Sequence, residues 1–363
     1  MNDRCAVPAT AKRWVLALAA AVALVAAAPS APAAEGEIHV LNWEGWGTNQ
    51  PFAMEAFEKQ TGVKVVHDYL TSFPEMFTKL RTNPGVYDIV VMNTAYTLQA
   101  ADEGLIEPID VSGLKNFADL IPELRDTPQL NRDGKVYGVA WIWGGTSLSY
   151  NTDLYPTPPT SVQAFWDPKH AGRVCWHDSP EDSVRMAAIA TGQDPENPAD
   201  MAAVRDKLRA LKPQVRAMWQ SEDEWLKLVA AKECDVSFIW TDSTEKAKVV
   251  HQQPISFIVA EEGALAWRDG LSIPSNPPNP KAALAFVDYL TSPEFYAGWA
   301  AAGGAPVSAS SKSVGALAAD SLTRQVLANP DNVGRLKFQG PLSDETRQSW
   351  LDLWQETKAY FAE

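Results

Sequence analysis

From residue 38 onward, short β-rich apolar runs alternate with longer stretches whose apolar residues recur at helical spacing. The pattern predicts strands at 38–41, 63–69 and 87–92, with helices at 51–60 and 75–81 between them. Gly62 and the run Asn83-Pro84-Gly85 supply the stops. A β-α-β-α-β alternation of this kind predicts a mostly parallel sheet covered by helices.

The stretch 136–150 (VYGVAWIWGGTSLSY) contains two strand-like runs separated by Gly144-Gly145. Glycines absorb backbone rotation, so the break is expected to be a crossing between two lobes. A second α/β set follows, with strands at 173–176, 236–240 and 255–259 and helices at 182–190, 198–211, 222–231 and 243–250. Residues 271–274 are expected to cross back; helices at 281–290 and 343–361 complete the chain.

The first residues change the picture of where the protein works. A basic stretch ending at Lys12-Arg13, an apolar run over 15–28 and the Ala31-x-Ala33 site predict a signal peptide over 1–33. The mature chain is therefore expected to be exported to a bacterial periplasm, without direct membrane insertion. Losing that segment removes three basic residues and one acidic one, taking the formal charge from −14 to −16. A field of that sign repels nucleic acid and favours encounter with cations. About 330 remaining residues exceed what one hydrophobic core usually supports, which favours two lobes. Cys175 and Cys234 remain after cleavage; export permits a disulfide, but spacing leaves two buried thiols equally open.

Candidate chemistry gathers at the ends of the predicted strands. Tryptophan stands beside a carboxylate three times, at Trp43-Glu44, Trp240-Thr241-Asp242 and Trp267-Arg268-Asp269, and Trp46 adds a further indole. In parallel α/β sheets ligands collect at the carboxyl ends of strands, where Asn93 and Asp178 also fall. An aromatic face with a carboxylate suits a desolvated organic cation. Asp269 is the strongest candidate; Asp178, Asp182 and Asp242 follow, with helix capping as the rival role for Asp182 and Asp242. A zwitterionic ligand would need a cationic partner such as Arg268 or Arg185. No nucleophile elbow, phosphate loop or zinc-binding motif is present, and the five histidines show no metal-ligand spacing. The chain is thus expected to be no enzyme and to need no cofactor or metal, with an exported hydrolase as the distant alternative. His39 is expected inside a strand, and His177 and Asp178 on opposite faces of theirs.

These residues carry a resemblance. Leu41-Asn42-Trp43 with Trp46, the strand 87–91, Trp143-Gly144, the strand 236–240 and above all the run Trp267 to Pro274 make the chain similar to spermidine/putrescine-type periplasmic binding proteins of ABC transporters. The resemblance implies an α/β, two-lobe periplasmic-binding-protein-like (type II) fold with a ligand cleft between lobes. Lobe 1 would comprise 36–143 plus 270–314 and lobe 2 would comprise 144–269 plus 315–363. It also implies a monomer that captures a small organic cation, a polyamine such as putrescine or spermidine, and delivers it to a membrane permease. By position Trp43, Trp46, Trp240 and Trp267 would wall the ligand, Asp269 and Asp182 would hold amino groups, and Gln339 would add a polar contact. Departures from the family pattern are Glu44, Asn93, Ala95 followed by Tyr96, Ser179, and Asp242 one place before the acid expected there. They leave an amino acid derivative, betaine, γ-aminobutyrate or opine-like ligand as the alternative.

Overall fold

The computed structural model describes residues 36–363. The expected signal peptide lies outside the described residues. Eight strands form the spine of a twelve-stranded sheet: β1 (Gly36–Trp43), β2 (Val63–Leu70), β3 (Ile89–Asn93), β4 (Val139–Asn151), β5 (Val174–His177), β6 (Val215–Trp219), β7 (Val236–Trp240) and β8 (Ala264–Pro274). Their order across the sheet is β2-β1-β3-β8-β4-β7-β5-β6. The β1–β2 and β1–β3 pairs are parallel, as are β7–β5 and β5–β6. Between these wings β8 pairs antiparallel with both β3 and β4, and β4 antiparallel with β7. The mostly parallel sheet expected from the alternation is therefore corrected to two parallel wings joined through an antiparallel centre.

Each wing is an α/β layer built on the two-residue period of its strands. In the first wing Ile38, Val40, Ile89 and Val91 pack with Phe57 and Phe286 on one face. The alternate residues Leu41, Val90 and Met92 pack with Met76, Phe77 and Leu80 on the other. In the second wing Val174, Trp176, Val236 and Phe238 share a cluster with Phe165, while Cys175, Trp219 and Ile239 share another with Trp225. Each fully buried side chain of this size stabilises the fold by roughly 1.5–3 kcal/mol relative to exposure. His39 lies in β1 as expected, yet its ring is partly exposed beside Glu37.

Helices start and stop where the local chemistry allows. α1 (Pro51–Thr61) begins with proline in its first turn and ends at Gly62, whose φ of 74° is the left-handed cap glycine adopts freely. The further helices that matter to the site are α2 (Thr94–Asp102), α3 (Pro180–Ala190), α4 (Thr241–Val249), α5 (Pro293–Ala302) and α6 (Asp344–Ala362). Each of α2, α3 and α4 follows directly on β3, β5 or β7, so its N-terminal N–H groups sit at a strand's carboxyl end.

The two expected lobe crossings lie inside continuous strands. β4 runs unbroken through Gly144-Gly145, and β8 begins at Ala264 rather than at 271. In register, Trp267 faces Gly144 and Arg268 faces Trp143, with a bulge between Asp269 and Gly270. The glycine pair is a place of close approach rather than a turn. A Cβ on Gly144 would lie 2.5 Å from Cζ2 of Trp267. Gly144→Ala must displace that indole, since neither strand can retreat. The expected result is a stability loss of about 1–3 kcal/mol and at least tenfold weaker ligand binding, read by thermal unfolding and calorimetry; wild-type affinity would contradict this placement of Trp267. Among the described residues no helix is long and apolar enough to cross a membrane, and no group of three His, Cys, Asp or Glu is placed to hold a metal ion.

Candidate functional site

The turn after β1 presents the first indole. Gly45 and Gly47, with φ of 76° and 74°, flank Trp46 and occupy backbone that other residues enter only at a cost. Asn42 locks the turn by donating to the Trp46 carbonyl at 2.7 Å and to Oγ1 of Thr48 at 2.8 Å. Trp46 thereby points its Nε1 at Asp269, donating to Oδ2 at 2.8 Å. Its ring lies 5.4 Å from that of Trp267 and 6.2 Å from that of Trp240.

Asp269 is 7 % exposed, and among the described residues the Trp46 indole N–H is the one side-chain group that bonds it. Burial raises its pKa to about 7, with that single hydrogen bond pulling the other way. Trp267 and Asp269 share one face of β8 and Arg268 takes the other. Arg268 accordingly stacks over Phe338, 4.8 Å from the ring centre, and donates to Gln129.

From Asp269 the contacts close into a circuit. Its register partner on β3 is Asn93, whose side chain caps α2 by accepting from Ala95 and also donates to Gln339 at 3.4 Å. Gln339 donates to Oδ1 of Asp182 at 2.6 Å, and Nδ1 of His177 meets Oδ2 of the same carboxylate at 3.2 Å. His177 stacks on Trp219 at 4.3 Å and sets its ring edgewise to Trp240 at 5.1 Å. Trp240 returns the circuit to Trp46. Seven of the expected residues, Trp46, Asn93, Asp182, Trp240, Trp267, Asp269 and Gln339, are thus brought together. His177 and Trp219 join them unforeseen. A histidine at the end of a strand beside an aspartate was the available signal, and its partner is the later Asp182 rather than its neighbour Asp178.

Asp242 reaches the same region from the first turn of α4. It is 2 % exposed, and its Oδ1 has no hydrogen-bond partner among the described residues. Burial, then the nearby Glu222, hold its pKa well above the usual carboxylate range, although its position in the first turn of α4 favours the charged form. The helix-cap role is not its own, since the residue before the helix is Trp240 and no side chain caps it. A cavity of about 40 Å³ opens between Asp242 and Trp46.

The remaining expected residues stand outside this circuit. Trp43 sets its ring edgewise to Phe73, 5.2 Å away, and Glu44 is exposed on the turn. Tyr96 stacks on Phe73 at 4.1 Å and donates to Glu181 at 2.7 Å; burial raises its phenol strongly. Asp178 is committed elsewhere. It accepts from Trp354 at 2.6 Å, from Lys358 at 2.9 Å and from Gln220 at 3.1 Å. Burial works to raise its pKa, but these donors outweigh it and hold the carboxylate below the usual range. Trp354 and Lys358 lie on α6, so Asp178 fastens that helix to the site's second wing. Ser179 caps α3 by accepting from the Asp182 N–H. Arg185 is fully buried, bonded to Glu196, Glu181 and the Gly340 carbonyl.

Chemically, the circuit offers Asp269, a buried carboxylate without a cationic partner among the described residues, facing indoles. A desolvated cation over such a ring gains roughly 2 kcal/mol, and a charge-assisted hydrogen bond to the carboxylate about 1.5–3 kcal/mol more.

The family model described as bacterial extracellular solute-binding protein matches residues 53–325. The spermidine/putrescine-binding periplasmic protein of Escherichia coli K12 is 31 % identical over 289 residues, covering 78 % of this chain and 81 % of that protein. The putrescine-binding periplasmic protein PotF of the same organism is 25 % identical over 305 residues, covering 79 % and 81 %. The crystal structure of the spermidine/putrescine ABC transporter substrate-binding protein PotD from Streptococcus pneumoniae superposes with a TM-score of 0.77 at 18 % identity, covering 90 % of this chain and all of that one. The sheet of two wings is thus the two-lobe fold of periplasmic binding proteins, and the chain belongs to the bacterial extracellular solute-binding protein family.

Proposed function

We propose that the chain is the periplasmic substrate-binding component of an ABC transporter, which captures a polyamine-like organic cation as a monomer and delivers it to the membrane permease. The observation that carries this reading is Asp269, a buried carboxylate bonded by one indole N–H and walled by Trp46 and Trp267. The ligand's amino group replaces the missing cation, the indoles cover its methylene chain, and Asp182 with Gln339 offers polar contacts across the circuit. With lobe 1 at 36–143 plus 270–314 and lobe 2 at 144–269 plus 315–363, residues of both lobes contact one ligand. Binding then draws an open–closed equilibrium toward closed. Across the two sides Tyr96 donates to Glu181 at 2.7 Å and Arg347 donates to Gln99 at 3.0 Å, which fits such a closure.

A zwitterionic ligand is less well served. Arg185 is occupied by two carboxylates, and Arg268 faces away from Asp269. A hydrolase reading finds no serine, threonine or cysteine nucleophile in the circuit to act through. Native mass spectrometry of protein purified without stripping tests the assignment: a co-purified mass matching a di- or triamine is the expected result, and a bound acidic or neutral metabolite would reject it.

The site also predicts a pH dependence. An ammonium binds the ionised form of Asp269, whose pKa in the protein is about 7. Below that pH the ligand must expel a proton, so affinity falls toward tenfold per pH unit, and above it the dependence flattens. Stability of the ligand-free protein runs the other way. The folded pKa exceeds the unfolded value of about 3.9, so the contribution is full below pH ~4 and is lost as pH rises toward 7. Titration calorimetry from pH 5 to 8, in buffers of different ionisation enthalpy, should show proton release near pH 6. An affinity independent of pH would contradict the role of Asp269.

A further inference from the structure

The cavity beside Trp46 has an occupant of its own at the rim. Asp242 lines it, 2 % exposed and with Oδ1 unbonded. One helical turn further along α4, Lys246 lines it too and forms an ion pair with Glu222. Glu222 is fixed from its other oxygen by the Ser243 hydroxyl at 3.0 Å. The stem of Lys246 is fixed in turn by the loop after α5. A Cβ on Gly304 would lie 2.7 Å from the Cβ of Lys246, so the loop passes only because that residue is glycine. The chain thus holds its own ammonium, on a tether, at the edge of a space that also contains an unsatisfied carboxylate. Asp269 adds, after burial and Glu222, to what raises the Asp242 pKa, and Trp46 touches both the cavity and Asp269.

We propose that the Asp242 cavity takes one terminal ammonium of the ligand, and that Lys246 closes the site beyond it, selecting a linear diamine over a longer triamine. This rests on the cation-binding reading given above. The cavity of about 40 Å³ exceeds the roughly 10–15 Å³ that one water-sized group needs, so an –NH₃⁺ end fits in it. A third amino group would have to share Glu222 with Lys246, and like charges at that separation repel. Removing the Lys246 ammonium leaves Glu222 as a vacant acceptor in line with Asp242.

Putrescine and spermidine titrated into wild-type and Lys246→Met protein test the idea. The expected wild-type result is tighter binding of putrescine. In Lys246→Met the ratio of spermidine to putrescine affinity rises tenfold or more. A smaller rise, or an equal gain for both ligands, overturns the role of Lys246. Lys246→Gln removes the same charge with a polar end and reports the same ratio should the methionine variant fail to accumulate. Failure of wild-type protein to bind either amine would instead reject the functional reading, so the two failures are distinguishable.

Discussion

Replacing Asp269 by asparagine is expected to weaken amine binding about ten- to a hundredfold, while the ligand-free protein stays at least as stable at pH 8. The loss follows from a charge-assisted hydrogen bond of about 1.5–3 kcal/mol, at 1.4 kcal/mol per factor of ten. The stability follows from the same burial. Above pH 7 the folded protein holds an ionised carboxylate that water would solvate better, and asparagine has no charge to desolvate. It keeps an oxygen to accept from the Trp46 indole N–H. Affinity by calorimetry and thermal unfolding at pH 8 separate the two effects. Parallel loss of stability and affinity would mean that Asp269 supports the fold and not the ligand, whereas retained affinity would remove it from the site. The variant should also lose the pH dependence of binding near 7.

Loss of the Cys175–Cys234 bond carries the largest expected effect on stability. The two residues are joined in the structure with Cα atoms 5.6 Å apart across 59 positions of sequence, which decides the question the spacing left open. Both are buried, in the cluster that backs Trp219. Cys175 lies in β5, two residues before His177, and Cys234 just precedes β7, which pairs with β5. Closing a loop of that length removes unfolded-state entropy worth ~4 kcal/mol. For a domain of this size that corresponds to roughly 6 °C in melting temperature. Thermal unfolding of the Cys175→Ser/Cys234→Ser double variant checks it. Melting within a degree of wild type would show that the bond constrains nothing the fold does not already hold.

The wings of the fold were legible because their signals are local. Proline at helix starts, Gly62 at a helix end and apolar strands between them need only a few neighbouring residues. The centre was not. Gly144-Gly145 looks like a break between two strands in sequence, and only the indole of Trp267, 123 positions later, explains why one continuous strand needs glycine there. The first part of β8 was missed because Trp-Arg-Asp-Gly lacks a clean alternation, its polar residues having been placed for the site and for Gln129. Strand β6, VRAMW, was hidden by an exposed arginine among half-buried neighbours.

The site divides in the same way. Trp267 and Asp269 lie two apart on one strand, so their common face follows from the β period alone. Asp178 looked equivalent to Asp182, being a carboxylate after the same strand. Its capture by Trp354 and Lys358 depends on α6, 176 and 180 positions away. His177 was weighed in sequence only against its neighbour Asp178, whereas its partner is the acid five residues on. Residues whose role depends on one strand were readable; residues whose role depends on which distant donor arrives first were not.

The central claim is that a ligand ammonium completes the buried, unpaired Asp269. Calorimetry of ligand-stripped protein with putrescine, spermidine, choline and γ-aminobutyrate at pH 8 tests it most directly. Saturable heat with a primary polyamine, at micromolar affinity or tighter and abolished or greatly weakened by Asp269→Asn, is the predicted result. No heat with either polyamine, or equal heat in wild type and variant, would contradict it.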